Sequence, residues 1–180
     1  MSHRLFVGIA PPAALRERLA TAESGLRGAR WVAADNIHLT LAFIGEVDGG
    51  RARDIDEALT GLDAAPFSLT LGEPGAFGPA RRLRSMHIAA AQTPQLTALH
   101  QQVAARLAAA DTAPDRRKFS PHITLARLKG ADAEAVGRQL SRLAEHRWGN
   151  FQVAEVVLFE SHLGAGGADY ARAAVYPLSG

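Results

Sequence analysis

Two stretches decide the fold of this sequence: Asn36-Ile37-His38-Leu39-Thr40-Leu41 and Ser120-Pro121-His122-Ile123-Thr124-Leu125. Each contains a histidine, an aliphatic residue, a threonine and a leucine in that order. Successive side chains of a β-strand point to opposite faces of the sheet. The histidine and the threonine of each stretch therefore share one face, about 6.6 Å apart along the strand, while the aliphatic residues point into a core. We predict that the two strands face one another around a small anionic ligand.

The motif is short, so its chance frequency matters. With 7 His and 8 Thr in 180 residues, composition alone gives about 0.3 His-x-Thr matches. Both matches lie in apolar, β-rich runs, and the longer segments Ile37 to Ile44 and Pro121 to Leu128 resemble each other. We interpret them as one repeated motif rather than as two unrelated strand histidines.

Outward from the motifs, apolar periodicity predicts the order β, α, β, β, α, β, β, α, β, α, β, β, with room for one extra short strand. The first motif strand is expected to end at Gly45, and the Gly- and Pro-rich stretch from Gly72 to Pro79 to form a loop. Helices and strands do not alternate as in a doubly wound sheet. We predict an α+β fold with mainly antiparallel sheets and a central cleft between two similar halves. Residues 1–180 suit one domain made of two intertwined lobes.

Composition excludes several functional classes. The chain has no cysteine, which rules out disulfides, thiol nucleophiles and cysteine-bound metals. Its histidines form no close ligand cluster of the His-Glu-x-x-His kind, so we predict no metal and no cofactor. No apolar run approaches the roughly 20 residues of a membrane span, and the first apolar run is too short for a signal peptide. We expect a cytoplasmic protein without membrane association.

The basic residues are strongly biased toward arginine. The net charge is only +2, but 18 of the 20 basic residues are Arg and 2 are Lys. Guanidinium groups bind phosphate in a planar, bidentate manner, so the bias fits an anionic ligand. A high-GC coding bias would explain it equally well, together with the abundant alanine.

Two histidines and two threonines suit acid–base chemistry at phosphorus. The unperturbed pKa of histidine, about 6.5, allows one imidazole to be neutral and another protonated near physiological pH. The pair can act as general base and general acid, while threonine hydroxyls hold phosphate oxygens. A 2′,3′-cyclic phosphate is strained and primed for attack by water, so it suits a site with no metal and no protein nucleophile. The symmetry of the motifs leaves open which histidine is the acid.

The paired His-Leu-Thr-Leu and His-Ile-Thr-Leu motifs resemble the two signatures of the two-histidine (2H) phosphoesterases. Four further segments look like the bacterial RNA 2′,3′-cyclic phosphodiesterase branch, also called 2′-5′ RNA ligase-like or LigT-like proteins: Arg4-Leu5-Phe6-Val7, Trp31 to Val47, Phe119 to Arg127, and Val157 to Tyr170. The resemblance covers nearly the whole chain. One departure is Arg84-Ser85-Met86-His87, where the family commonly has a more apolar run with Trp.

The resemblance implies a two-lobed, pseudo-twofold α+β fold and metal-independent opening of RNA 2′,3′-cyclic phosphates to 2′-phosphates. It also implies a weak, reversible 2′-5′ RNA ligase activity. It makes His38 the proton donor and His122 the proton acceptor, and it assigns phosphate-holding positions to Thr40 and Thr124. The implied partner is RNA with 2′,3′-cyclic phosphate ends, tRNA fragments among them, and we expect a monomer.

Other residues are candidates for substrate contact. Strand alternation turns Arg127 away from the His122 face unless the strand twists or bulges, in which case it would contact phosphate or RNA. Phe43, Phe77, Phe119 and Tyr170 could stack on a base, although core packing is the competing interpretation for each. Two basic clusters could line an RNA path or form solvated faces: Arg81, Arg82 and Arg84, and Arg116, Arg117 and Lys118.

Two other functions fit the same residues. One is a 2H phosphodiesterase acting on small 2′,5′-linked or cyclic nucleotides, for which a closed pocket is expected rather than a shallow, Arg-lined cleft. The other is a non-catalytic module that binds RNA ends, in which the histidines and threonines only hold phosphate.

Overall fold

The structure is a computed structural model that describes residues 1–113 and 115–180. Within these residues the order of elements agrees with the predicted α+β order, and the extra short strand is β7. A single 3₁₀ turn, Ala34–Asn36, precedes the first motif strand. The helices and strands are β1 (Ser2–Ile9), α1 (Ala13–Ala20), β2 (Ala29–Trp31), β3 (Leu39–Asp48), α2 (Gly49–Leu59), β4 (Phe67–Phe77), β5 (Ser85–Ala90), α3 (Pro94–Ala109), β6 (His122–Leu128), α4 (Ala133–Ala144), β7 (Asn150–Val153), β8 (Glu155–Gly164) and β9 (Gly167–Pro177).

The strands of the described residues form one curved antiparallel sheet in the order β7-β4-β5-β6-β3-β1-β8-β9, with β2 paired to β6. The two motif strands, β3 and β6, are neighbours at its centre and are joined by the pair Leu39 and Ile123. The prediction that the motif strands face one another across a cleft is therefore wrong in this respect. They lie side by side, and each belongs to one half of the sheet.

The apolar residues of both motif strands lie in the main core, as the alternation predicts. Leu39 and Ile123 are 0% exposed, and Leu41 and Leu125 are 3% and 2% exposed. Helices α2 and α3 cover this face next to β3. A register slip of one residue would expose these side chains, and burial of each stabilises the fold by roughly 1.5–3 kcal/mol. The hydrophobic pattern thus determines which face carries the histidines and threonines.

Two predicted boundaries are wrong because strand pairing overrides local composition. Strand β3 continues beyond Gly45 to Asp48, along its antiparallel partner β1. The stretch from Gly72, predicted as a loop, continues β4 to Phe77, where it pairs with β5. The ladder is irregular between Leu71 and Pro74, which is where a proline is tolerated in a strand. Among residues 1–113 and 115–180, none of the helices has the length and hydropathy of a membrane-spanning segment.

Candidate active site

The imidazole of His38 is held by two hydrogen bonds. Its Nδ1 donates to the backbone carbonyl oxygen of Asn36 at 2.7 Å, and its Nε2 lies 3.0 Å from the hydroxyl oxygen of Thr40. The side chain of Asn36 bonds to β9, donating to the carbonyl of Ala168 and accepting from the backbone N–H of Tyr170. The carbonyl that orients His38 is therefore itself fixed to the sheet.

His122 is oriented in the same way as His38. Its Nδ1 donates to the backbone carbonyl of Ser120 at 2.6 Å, again two residues before the histidine. A carbonyl acceptor places the ring proton on Nδ1 and leaves the Nε2 lone pair available in the neutral imidazole. Both histidines thus present Nε2 as the nitrogen that can exchange a proton with a ligand.

The sheet register brings the two motifs together. The pair Leu39 and Ile123 lies at the centre of both motifs in an antiparallel arrangement. One residue to either side of this pair, each histidine lies opposite the threonine of the other motif, and all four side chains share the face opposite the core. The strands thus place two imidazoles and two hydroxyls next to one another.

The His38 ring is packed in an aromatic cluster. Its centroid lies 4.7 Å from that of Phe6, 5.2 Å from Tyr170 and 5.6 Å from Phe159. Burial in this cluster is the main reason that the pKa of His38 falls to about 4. The hydrogen bond to the carbonyl of Asn36 acts in the opposite direction. His38 is therefore neutral in the free protein at pH 7.

The ring of His122 packs against other side chains than that of His38. Its ring centroid lies 4.8 Å from that of Phe77 and 5.2 Å from that of His87. Burial again lowers the pKa of the histidine, the carbonyl of Ser120 opposes this, and the positive charge of Arg127 lowers it further. The same guanidinium lowers the pKa of His38, so one cation acts on both imidazoles.

A β-bulge in each motif strand turns one further side chain toward the histidines. Strand β3 has an extra residue, Leu41, opposite β1, and β6 has an extra residue, Leu125, opposite β5. A bulge reverses the alternation of the residues that follow it. As a result Phe43 and Arg127, each five residues after its histidine, lie on the histidine face and are exposed. The bulge resolves the question that strand alternation left open for Arg127.

Phe43 and Arg127 line one groove of about 570 Å³ beside the histidines. The groove is open to solvent, and its other lining residues are Ala113, Asp115, Arg116 and Arg117. Arg117 is paired with Asp115 at 2.6 Å, whereas the guanidinium of Arg127 has no ion-pair partner among the described residues. One end of the site therefore combines an unpaired cation with an exposed aromatic ring.

Two further aromatic candidates have different positions. Tyr170 contacts the edge of the His38 ring and belongs to the aromatic cluster. Phe119 packs against the main core, and its ring stacks on that of His100 at 3.8 Å. This position favours the core-packing interpretation of Phe119 over base stacking, because the ring is stacked on His100 and packs against the core.

Sequence reasoning missed three residues of the site. Phe6 and Phe159 enclose His38, and His87, which lacks the threonine of the motif, stands beside His122. Strand alternation alone could not place His87 on the face of His122, because this also requires the register between β5 and β6. The carbonyls that orient the histidines carry no side-chain signal at all. No group of three potential metal ligands occurs among the described residues.

Two histidine–threonine strands thus lie side by side in an antiparallel sheet, and they carry the paired motifs by which the sequence resembles the two-histidine phosphoesterases. Comparison with known proteins agrees with this class. The model of the 2′-5′ RNA ligase superfamily matches residues 11–165. This chain belongs to that superfamily.

Its relatives include two RNA 2′,3′-cyclic phosphodiesterases. The one from Geobacillus stearothermophilus is 32% identical over 161 residues, which are 88% of this chain and 51% of the relative. The chain thus spans about half the length of that protein. The one from Aeropyrum pernix is 31% identical over 76% of this chain and 78% of its own length. Among solved structures, Escherichia coli LigT complexed with 3′-AMP matches with a TM-score of 0.76 and 25% identity over 100% of both chains.

Proposed function

We propose that this protein hydrolyses RNA 2′,3′-cyclic phosphodiester ends to 2′-phosphates by general acid–base catalysis between His38 and His122. The observation that carries the proposal is the matched pair of imidazoles, each with Nδ1 bonded to a carbonyl and Nε2 directed to the shared face. It is supported by relatives that are RNA 2′,3′-cyclic phosphodiesterases and by the 3′-AMP bound to the similar LigT structure.

In the proposed reaction, water attacks phosphorus and the bond from phosphorus to O3′ breaks. Nε2 of His122 takes a proton from the attacking water as the new P–O bond forms. Nε2 of His38 gives a proton to the departing O3′, so that the product is a 2′-phosphate with a free 3′-hydroxyl. Each proton transfer typically contributes a factor of about 10²–10⁴ in rate. With the 5′-hydroxyl of a second RNA end as the nucleophile in place of water, the same step would join the two ends through a 2′-5′ linkage and release the 3′-hydroxyl.

The other polar groups stabilise the charge that develops on phosphorus. The hydroxyl of Thr124 can donate to a non-bridging oxygen. The hydroxyl of Thr40, which donates to Nε2 while His38 is neutral, can do the same once His38 is protonated. The unpaired guanidinium of Arg127 supplies a positive charge near both imidazoles. Donors that are already in place when the charge develops cost no reorganisation, which is why such groups are effective.

The open groove favours an RNA end as substrate over a small nucleotide, for which a closed pocket is expected. It is open, and Arg116 adds a second positive charge to its lining beside Arg127, while Arg117 is paired with Asp115. The exposed ring of Phe43 offers a face on which a base can stack without sequence preference. Such a groove leaves room for the rest of a longer RNA strand to extend into solvent. A substrate such as the end of a tRNA fragment requires this.

We further propose that residues 1–180 form one two-lobed domain that acts as a cytoplasmic monomer. Both motifs come from the same chain and pair directly, so one copy completes the site. The absence of cysteine is compatible with a reducing compartment.

The test is a short RNA ending in a 2′,3′-cyclic phosphate, incubated with the protein in EDTA, with the product's phosphate position resolved. We expect conversion to the 2′-phosphate. Conversion of small 2′,5′-linked or cyclic nucleotides but not of this RNA would mean that the substrate is a small nucleotide rather than an RNA end. Tight binding of the RNA without any turnover would contradict catalysis and support an RNA-end-binding module.

The lowered pKa values predict how the rate depends on pH. In the free protein His38, with a pKa of about 4, and His122, also lowered, are both neutral at pH 7. Catalysis needs one protonated and one neutral imidazole, and the bound anionic phosphate favours protonation. We expect kcat/KM, which reports on the free enzyme, to rise by up to about tenfold per pH unit as the pH falls from 8 toward 6. A kcat/KM that rises between pH 6 and 8 would contradict this assignment.

A further inference from the structure

The first motif begins with Asn36, a residue that the proposed mechanism uses only for its backbone carbonyl. Its side-chain amide makes two hydrogen bonds to the backbone of β9. Nδ2 donates to the carbonyl of Ala168 at 2.8 Å, and Oδ1 accepts from the N–H of Tyr170 at 3.1 Å. Strand β9 is an edge strand of the sheet, next to β8. The planar amide thus bonds edge groups of the kind that a neighbouring strand would otherwise pair with.

The same residue orients the imidazole of the proposed proton donor. The backbone carbonyl of Asn36 accepts the Nδ1–H of His38 at 2.7 Å. Asn36 also ends the 3₁₀ turn, where its backbone N–H donates to the carbonyl of Ala33 at 2.9 Å. Its side chain, its N–H and its carbonyl are therefore all bonded. One residue connects the edge strand to His38.

The second motif holds its carbonyl in a different way. The carbonyl of Ser120, which accepts from Nδ1 of His122, is followed by Pro121. A proline ring fixes its own φ at about −65° and restricts the preceding residue to an extended conformation. Asn36 is followed by Ile37, whose φ of −68° and ψ of 122° are not held by a ring. The side-chain bonds of Asn36 supply the constraint that proline supplies in the other motif.

The carbonyl of Asn36 serves a proton donor in two ways. It holds the His38 ring so that Nε2 lies toward the shared face. It also stabilises the imidazolium, whose N–H is a stronger donor than that of the neutral ring. This second effect opposes the burial that lowers the pKa of His38. A carbonyl that turned away would leave the ring less readily protonated, and the neutral ring could then carry its proton on either nitrogen.

We propose that Asn36 is a positioning residue of the reaction: its side-chain bonds to β9 hold its own carbonyl against Nδ1 of His38, so that Nε2 is presented to the departing O3′. The inference rests on the proposed function, which makes His38 the proton donor. Asn36 itself takes up and releases no proton. The N–H that it binds belongs to Tyr170, whose ring centroid lies 5.2 Å from that of His38. The same bonds therefore also hold one side of the aromatic cluster.

The experiment measures two properties of Asn36→Ala, which removes both side-chain bonds and keeps the carbonyl. The first is hydrolysis of an RNA 2′,3′-cyclic phosphate, for which we expect kcat to fall by about tenfold and KM to change by less than about twofold. The second is ¹⁵N NMR of the histidine rings in the free protein at pH 7. Wild type should show His38 and His122 with the proton on Nδ1. In the variant, His38 alone should gain a population protonated on Nε2.

The matched control is Gln102→Ala. Gln102 makes the same kind of two-point contact at another position of the fold, where its side-chain amide donates to the carbonyl of Asp63 at 2.9 Å and accepts from its N–H at 2.8 Å. Its removal should leave kcat and both histidine rings unchanged. The ring of His122 is the internal control within Asn36→Ala, because a general loss of structure would alter both rings.

Asn36→Leu is the second variant, since leucine keeps the approximate shape of the side chain and removes its hydrogen bonds. It should change kcat and the His38 ring in the same direction as Asn36→Ala. An unchanged kcat, or a lowered kcat with His38 still protonated on Nδ1, would overturn the positioning role. Equal changes in both histidines would overturn it too, because Asn36 would then serve the fold as a whole. Absence of turnover by wild type would instead overturn the proposed function, while the NMR comparison would still show whether Asn36 orients His38.

Discussion

Replacing either His38 or His122 by alanine is expected to lower kcat by a factor of about 10²–10⁴, because each change removes one proton transfer from the reaction. The reaction needs both transfers in one step, so the double variant should lose little more than the worse single variant. The measurement is single-turnover hydrolysis of an RNA 2′,3′-cyclic phosphate in EDTA. Binding of the RNA to each variant should weaken by less than about tenfold.

The control for these variants is His162→Ala, which removes an exposed histidine on β8. Its turnover should equal that of wild type. If either active-site variant kept more than about a tenth of the wild-type rate, that histidine would not be a proton-transfer group. If both variants lost RNA binding to the same degree as turnover, the histidines would serve to hold phosphate rather than to catalyse.

Replacing Arg127 by methionine is expected to lower kcat/KM by about 10- to 100-fold. Methionine keeps an unbranched apolar stem and removes the cation near both imidazoles, which in our account stabilises the phosphorane charge. The same change should raise the pKa of both histidines, because it removes a positive charge that opposes their protonation. The fall of kcat/KM with rising pH should therefore begin at a higher pH than in wild type.

Arg138→Met is a suitable comparison, since this arginine lies on α4 and pairs with Glu134. It should change neither kcat/KM nor its pH dependence. A loss of activity in Arg127→Met with an unshifted pH profile would mean that the guanidinium acts at a distance from the imidazoles. No loss at all would exclude Arg127 from substrate binding.

The apolar alternation of the motif strands was sufficient to predict the face that carries the histidines. Leu39, Leu41, Ile123 and Leu125 bury one face so completely that any other register would expose them. The α+β class followed from the order of elements for the same reason. The sequence pattern is strongest where burial decides the conformation, and that part of the site could be predicted.

The remaining features depend on pairing between distant strands. Nothing in either motif specifies that β3 and β6 are neighbours in one sheet rather than opposed across a cleft. The bulges at Leu41 and Leu125 appear only in the register with β1 and β5, and without them Arg127 would point away. His87 was missed because the His-x-Thr pattern ignores a histidine whose partner in space is on another strand.

The most direct test of the two-histidine mechanism is hydrolysis of an RNA 2′,3′-cyclic phosphate by wild-type protein in ¹⁸O-labelled water containing EDTA. Attack of water at phosphorus with cleavage of the P–O3′ bond predicts a 2′-phosphate with one ¹⁸O on phosphorus and an unlabelled 3′-hydroxyl. Mass spectrometry and ³¹P NMR would read the label and its position. A 3′-phosphate product, a label on the ribose oxygen, or activity that disappears in EDTA would contradict the account.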